Sequence, residues 1–190
     1  MNKNDTLFPQ PNDETEKIAN AYYKTNGGYQ MDEVISALQK EIRRGNEENA
    51  VYWGLEILNT SGLEWKLWRR LKVISAEDCA GMLPALFIKE MEEMFYKIGK
   101  NCSDGKVIAV KAIIELSRGE KDRTADDMKA WWRENNKKLK IPEYALDKHT
   151  KNGRKQGKTI KDFREEGCKL KNESKLYNKK YLTFLKENHV

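Results

Sequence analysis

Apolar residues recur every three or four positions along most of the chain, which is the period of an α-helix. The clearest stripe lies in residues 31–44 and consists of Met31, Val34, Ile35, Leu38 and Ile42. Similar patterns predict helices at about 14–25, 47–60, 63–74, 84–98, 106–118 and 125–138. No segment rich in Val, Ile or Thr alternates with a period of two, so no strand is predicted. We therefore expect an all-α fold, an antiparallel bundle of about six or seven helices joined by short loops.

Polar and glycine residues mark the ends of these helices. Gly45 follows the stripe of residues 31–44, as expected for a helix C-terminus. Ser75 to Asp78 is predicted to be a junction between two helices with its own cap. Ser103 and Asp104 are predicted to cap the segment 106–118, which is apolar enough to be the central helix.

The chain changes character at Ile141-Pro142. We predict a disordered tail over residues 1–12, a helical domain over 13–140 and a basic, helical C-terminal extension over 141–190. The extension begins with a polar, glycine-containing stretch, 147–158, that is predicted to be a loop. Helices are predicted to follow at about 160–170 and 174–187.

The net charge of +6 is unevenly distributed. Residues 133–190 hold 17 Lys or Arg and 8 Asp or Glu, whereas residues 1–132 hold 19 and 22. All of the excess positive charge therefore lies in the last third of the chain. A localised basic segment favours an anionic partner, most often nucleic acid, although such segments also occur as solvated surface.

Composition argues against several other classes of protein. The three cysteines form no CxxC pair and His149 and His189 are the only histidines, so no metal site is predicted. The cysteine usage fits a reducing compartment. No stretch approaches the ~18 apolar residues of a membrane span. We expect a soluble, cytoplasmic protein that has no cofactor and no membrane partner.

The stretch Gly153 to Thr159, GRKQGKT, resembles a nucleotide-binding P-loop. A P-loop needs four residues between its first glycine and the Gly-Lys pair, and it follows a buried strand. Here three residues intervene, and the preceding residues are polar. ATP hydrolysis is therefore not expected.

The same region suits phosphate binding without hydrolysis, because glycines let the backbone approach closely and cations neutralise phosphates. Seven cations fall within 17 residues that contain a single acid, Asp162. The predicted nucleic-acid-binding residues are Lys148, Lys151, Arg154, Lys155, Lys158, Lys161 and Arg164.

Asp147 and His149 invite a catalytic interpretation, with the histidine as a general base oriented by the carboxylate. His189, the other histidine, is next to the end of the sequence and is a poor candidate to complete a metal site with them. We instead expect Asp147 and His149 to shape the loop, together with Gly153 and Gly157, and no catalytic residue is predicted.

Five tryptophans exceed what a small core needs. Trp65 and Trp68 lie three positions apart beside Arg69. Core packing explains such residues most simply. An oligomer interface made by Trp65, Trp68 and Arg69 is the alternative, since aromatic residues and Arg are enriched there. Stacking on single-stranded bases is a third option.

Several short stretches resemble the C-terminal part of the RarA/MgsA family of AAA+ ATPases. They occur in the family's order over about residues 30–115, and the family usually has one residue fewer between the Glu-Asp pair and the following glycine. The matching stretches are Ile42-Arg43-Arg44-Gly45-Asn46, Ala50-Val51-Tyr52-Trp53, Arg69-Arg70-Leu71, Ile74-Ser75-Ala76-Glu77-Asp78, Gly81 and Pro84-Ala85-Leu86.

The resemblance implies a clamp-loader-collar-like fold and a homo-oligomer, a tetramer or a dimer. It also implies work at replication forks and in recombination. The ATPase module is absent from this sequence, which implies a stand-alone domain of the type found in phages and mobile elements. The segment Tyr144 to Thr150, with Gly153-Arg154 and Gly157-Lys158, is similar to such stand-alone versions.

These observations predict a non-enzymatic DNA replication or recombination accessory protein. Two alternatives remain open. One is a protein-interaction module that binds or inhibits an AAA+ machine, and the other is a nuclease-type enzyme that uses Asp147 and His149.

Overall fold

The computed structural model describes residues 23–99, 102–135 and 137–188, and the chain divides into two compact units between residues 135 and 136. We call residues 23–135 the core unit and residues 137–188 the C-terminal unit. The sequence placed this division after residue 140. The described residues are helical and contain no strand, so the prediction of an all-α helical bundle is confirmed. The predicted tail, residues 1–12, lies outside the described part.

Six α-helices form the described part of the core unit. They are α1 Met31–Arg44, α2 Glu47–Leu58, α3 Glu64–Glu77, α4 Leu83–Ile98, α5 Ser103–Arg118 and α6 Thr124–Asn135.

Helix α1 has the bounds that its apolar stripe predicts. All five residues of the stripe are buried. The helix ends at Gly45, whose φ of 75° is the left-handed conformation that favours glycine. Its N–H donates to the carbonyl groups of Glu41 and Ile42, which closes the last turn.

Helix α5 lies at the centre of the core unit, packed against α1, α2, α3 and α4. Gly54 lets α2 approach it closely, because a Cβ atom at this position would lie 2.2 Å from Cδ1 of Ile113. On the other side of the core, the rings of Trp68 on α3 and Phe95 on α4 lie 5.3 Å apart.

A buried carboxylate ties three elements of the core unit together. The side chain of Asp78, just after α3, has no exposed surface. It accepts hydrogen bonds from Gln39 Nε2 at 2.9 Å, Arg43 Nε at 2.8 Å and Arg123 Nη1 at 2.7 Å. Burial alone raises the pKa of Asp78, but these hydrogen bonds outweigh burial and hold the pKa below its ordinary value. The carboxylate is therefore charged at neutral pH.

Helix α6 is joined to the rest of the core unit by polar contacts. None of its residues is buried. The connection before it pairs with the end of α3, since Ala80 N donates to Glu120 O at 3.0 Å and Asp122 N donates to Asp78 O at 3.1 Å. Arg123 then links Asp78 to Asp126 in the first turn of α6, at 2.7 Å and 2.6 Å. The direction of α6 therefore depends on Asp78.

Three local predictions for the core unit are wrong. Residues 23–25 form part of a turn rather than a helix, with Met31 N donating to Tyr23 O, while 14–22 lie outside the described residues. Helix α3 continues through Ser75 to Glu77 instead of stopping before them. The cap of α5 is Cys102, whose sulfur accepts from the N–H of Gly105 at 3.3 Å.

Trp68 does not lie at a surface. It is fully buried because it faces α4 inside the core unit, so the prediction that this side chain belongs to an oligomer interface is wrong. Trp65 and Arg69 lie on the same helix and are half-buried. Their place at an interface stays a prediction.

The C-terminal unit contains short helices. A 3-10 helix spans Glu143–Ala145, α7 spans Lys151–Lys155, α8 spans Ile160–Asp162 and continues into a π-helix, Phe163–Gly167, and α9 spans Lys180–Asn188. Helix α7 lies inside the stretch 147–158, so the prediction of a loop there is wrong over those residues.

Almost nothing in the C-terminal unit is buried. Gly153 is buried, while apolar side chains such as Ile141, Tyr144, Leu176 and Phe184 are exposed. A unit of this size normally needs a disulfide, a metal or a partner to be stable when its core is so small. The contacts within it include hydrogen bonds in its turns, ion pairs such as Lys169–Glu166 and the contact between the His149 and Phe163 rings.

We expect Asp78→Asn to lower the free energy of unfolding of the core unit by about 3 kcal/mol. The expected decrease is at the lower end of the range for broken buried ion pairs because Arg43 and Arg123 keep 31% and 33% of their side-chain surface exposed. Urea denaturation at pH 7, followed by circular dichroism, measures this difference.

The pH dependence of the stabilities of the wild type and Asp78→Asn tests whether Asp78 is charged in the folded protein. A carboxylate whose pKa is lowered by folding stabilises the protein above the unfolded pKa of about 3.9, and that stability is lost as pH falls through the folded pKa. The stabilities of the wild type and the variant should therefore converge in acid. The control is Asp127→Asn, which removes an exposed carboxylate 3.5 Å from Arg123. An equal effect of both variants contradicts the prediction.

Candidate nucleic-acid interface in the C-terminal unit

The basic segment of the C-terminal unit begins with a turn centred on Asp147. Its Oδ1 accepts from the N–H of His149 at 2.8 Å, and its Oδ2 lies 3.2 Å from Nδ1 of the same ring. The main-chain carbonyl of Asp147 accepts from the hydroxyl of Thr150 at 3.0 Å. The hydrogen bonds from His149 lower the pKa of Asp147 from its ordinary value. The turn is therefore closed by groups within four residues.

Gly153 lets α7 fold onto this turn. A Cβ atom there would lie 1.9 Å from the carbonyl oxygen of Asp147. The N–H of Gly153 donates to the hydroxyl of Thr150, which caps α7. The local sequence thus requires a glycine for a close approach rather than for a flexible hinge.

The P-loop interpretation fails on hydrogen bonding as well as on spacing. A phosphate cradle needs main-chain N–H groups that point at the ligand. Here the N–H of Gly157 donates to Arg154 O, that of Lys158 to Gly153 O, and that of Thr159 to Asp162 Oδ2. These N–H groups already donate to acceptors within the C-terminal unit. Gly157, with φ of 74°, turns the chain from α7 into α8.

The distance between Asp147 Oδ2 and His149 Nδ1 suits an oriented acid–base pair. The groups around the pair, however, stabilise the fold of the turn. The His149 ring packs edge-on against Phe163, with centroids 4.8 Å apart. The neighbouring hydroxyl, that of Thr150, is already engaged in the turn. The pair therefore joins the turn to the π-helix.

The structure separates the seven predicted cations into two groups. Arg154 donates to the carbonyl groups of Lys148 and His149, at 3.1 Å and 3.0 Å, and Arg164 donates to Leu185 O at 3.0 Å. Lys158 lies 3.9 Å from Asp162. The others are exposed and make no ion pair within the described residues; they are Lys148, Lys151, Lys155 and Lys161.

Lys151 and Lys155 lie four positions apart on α7, so they occupy one face of that helix. Arg154, between them in sequence, is instead hydrogen-bonded to the turn. Within the described residues Lys151 and Lys155 make no ion pair, so they can contact phosphates without breaking one. They form the part of the predicted site that the structure leaves available.

An acidic pocket lies on the same unit. It has a volume of about 300 Å³ and is lined by Glu143, Tyr144, Leu146, Asp147, Lys158, Asp162 and Glu166. Four carboxylates around one lysine repel phosphate. The prediction that Lys158 binds nucleic acid loses support, because Lys158 lines this pocket and its ammonium group lies 3.9 Å from Asp162.

The cations that follow Arg164 were not among the residues predicted from the sequence. Lys169, Lys179 and Lys186 line a second pocket, between the π-helix and α9, together with Arg164. The sequence signal for them is the run of lysines that continues to the end of the chain. That run does not indicate that an arginine and lysines up to 22 positions apart share one cavity.

Comparisons with known proteins leave the family open. No family model matches the chain, and no curated protein matches it. Within the described residues, no group of three or more His, Cys, Asp or Glu side chains is placed to hold a metal ion. In the same part of the chain, no helix is both long and apolar enough to span a membrane.

We expect Gly153→Ala to open the Asp147 turn, because the added methyl group overlaps the Asp147 carbonyl. Trypsin should then cleave at Lys151 and Lys155 about tenfold faster, since cleavage follows the population of the open form. Limited proteolysis with mass spectrometry measures the rate at each bond.

Gln156→Ala is the matched control, because Gln156 is exposed at the end of the same helix and its side chain makes no hydrogen bond there. Its cleavage rate should equal that of the wild type. Equal rates for all three proteins would show that the close approach at Gly153 does not hold the turn.

Proposed function

We propose that this protein is a non-enzymatic nucleic-acid-binding accessory protein, in which the C-terminal unit contacts DNA. The observation that carries the proposal is the set of exposed lysines on and around α7 that have no ion pair within the described residues. Phosphate contacts by such lysines release counterions and supply affinity that does not depend on sequence.

The charge distribution supports this function. The basic residues are concentrated in the last third of the chain, which has a net charge of +9 over residues 133–190. The core unit, by contrast, uses its charges on itself, as in the pairs Arg118–Glu47 at 2.6 Å and Lys72–Glu92 at 3.0 Å. An anionic partner is therefore drawn to the C-terminal unit.

The resemblance of the core unit to the RarA/MgsA family supports a role in replication or recombination. Under this proposal the core unit is the oligomerising, collar-like part, and the C-terminal unit provides the DNA contact. Under this proposal the chain acts without hydrolysing ATP.

A specific observation favours protein binding as a second candidate function. Helix α4 carries exposed apolar residues at helical spacing beside its buried face, namely Leu83, Leu86, Met94 and Ile98. Apolar stripes of this kind are typical of interaction surfaces. A second copy of the chain suits the stripe. If two copies of α4 pack antiparallel, the Leu83 end of one stripe lies against the Ile98 end of the other. An AAA+ protein is the alternative partner for this stripe.

DNA binding is tested with the double variant Lys151→Glu and Lys155→Glu. We expect its affinity for DNA to fall at least about tenfold. The slope of log K against log salt should also fall by about 2, because each phosphate that a lysine neutralises adds about 0.9 to that slope. Fluorescence anisotropy across a salt series measures both quantities.

Lys89→Glu is the control for the change in charge, because Lys89 is an exposed lysine on α4 of the core unit. It should alter binding only slightly. The proposal is overturned if the wild type does not bind DNA at low salt, or if Lys89→Glu weakens binding as much as the double variant does.

Protein binding by α4 predicts a mass in solution greater than that of one chain. The double variant Leu86→Glu and Met94→Glu should lower the mass to that of a monomer, because charges on the stripe cannot be buried without a partner. Light scattering after size exclusion measures the mass, with Lys89→Glu as the control. A monomeric wild type contradicts self-association through this stripe.

A further inference from the structure

The π-helix, α9 and the connection between them line a second, open pocket in the C-terminal unit, with a volume of about 190 Å³. It differs from the acidic pocket in its charge. The polar and aromatic groups on which the argument depends are Arg164, Lys169, Tyr177, Lys179, Thr183 and Lys186. Glu173 is the carboxylate among the lining residues.

The positive charge of this pocket is only partly neutralised. Lys169 pairs with Glu166 at 2.7 Å, and Lys179 pairs with Glu173 at 2.5 Å. Arg164 and Lys186 line the same cavity, and neither makes an ion pair within the described residues. Like charges around a small cavity repel one another, and an anion between them relieves that repulsion. The pocket therefore favours an anionic ligand.

A hydrogen bond within the C-terminal unit positions the Arg164 side chain before a ligand binds. Arg164 lies in the π-helix, a wide turn closed by the hydrogen bond from Cys168 N to Phe163 O at 2.9 Å, and π-turns are frequent at functional sites. One guanidinium N–H group donates to Leu185 O on α9, at 3.0 Å. The guanidinium keeps further N–H groups in a fixed fork, which suits phosphate oxygens. Because its position is already fixed, less entropy is lost on binding.

Tyr177 is the aromatic residue among those that line the pocket. It precedes α9 and is partly exposed. A tyrosine beside a phosphate site can stack on the base that the phosphate carries. The hydroxyl of Thr183 on α9 lines the same cavity and adds a neutral donor. These groups together match a phosphate joined to a nucleobase rather than a bare anion.

We propose that this pocket binds one nucleotide of an unpaired nucleic-acid strand, with the phosphate between Arg164 and Lys186 and the base against Tyr177. The inference rests on the proposed function and adds to it a preference for single strands. In a duplex the bases are paired and stacked on one another, so their faces are closed to Tyr177. An unpaired strand offers phosphate and base together.

The test compares a single-stranded oligonucleotide, the duplex of the same sequence, a free nucleoside monophosphate and inorganic phosphate. Fluorescence anisotropy gives the Kd values for the strands, and competition gives those for the small ligands. We expect the single strand to bind about tenfold more tightly than the duplex. Tyr177→Leu should remove most of that difference, and Lys186→Gln should lower the salt slope for the single strand by about 0.7.

Each variant has a matched control in the same unit. Tyr181→Leu changes an exposed aromatic residue of α9 that does not line the pocket, and Lys175→Gln changes an exposed lysine just before α9. Both should bind the single strand like the wild type. Circular dichroism and proteolysis of every variant show whether the C-terminal unit is intact.

The outcomes separate this inference from the proposed function. If Lys151→Glu with Lys155→Glu weakens DNA binding but Tyr177→Leu and Lys186→Gln do not, the pocket assignment is wrong and the proposed function stands. If the free nucleotide competes as well as the strand, the ligand is a mononucleotide and the assignment to a strand is overturned. If inorganic phosphate competes equally, Tyr177 has no role. If no strand binds, both proposals fail.

Discussion

Asp78 keeps a negative charge where water does not reach it, and the architecture of the core unit depends on how that charge is neutralised. Moving a carboxylate into a low-dielectric interior is unfavourable unless donors replace the lost water. Gln39 and Arg43 on α1 and Arg123 before α6 provide those donors. Because all three converge on one carboxylate, the positions of α1, the end of α3 and the start of α6 are coupled. The apolar core alone would leave α6 without an attachment.

The network also joins segments of the core unit that are far apart in the sequence. Residues 42–46 at the end of α1 and residues 74–78 at the end of α3 meet where Arg43 contacts Asp78. Gly45 closes α1 immediately after that arginine. These residues place and terminate helices around a buried charge. They concern the fold of the core unit, and the proposed chemistry of the C-terminal unit lies outside them.

The C-terminal unit is ordered in a different way. It buries little apolar surface, and its main-chain groups are satisfied one turn at a time, as at Asp147 and at Thr159 with Asp162. Aromatic and basic side chains are consequently left on its surface. This arrangement is costly for an isolated unit and suits one that gains stability from a ligand. Some cations of this unit complete a turn, as Arg154 does. Others, such as Lys151, complete no turn and are available to a ligand.

Sequence alone predicted the helices of the core unit from Met31 onward to within a few residues, because helical periodicity and end signals are local, and the bounds of α1 are the clearest example. It also located the basic segment and the glycines near Asp147. It did not determine that Trp68 is fully buried, that α3 continues through Ser75, or that Arg154 and Lys158 are engaged within the fold. Only the tertiary structure decided these points. Folding brings distant residues together. It therefore decides which apolar face is covered, which carboxylate lies beside which lysine and which distant cations share a pocket. No local pattern contains that information.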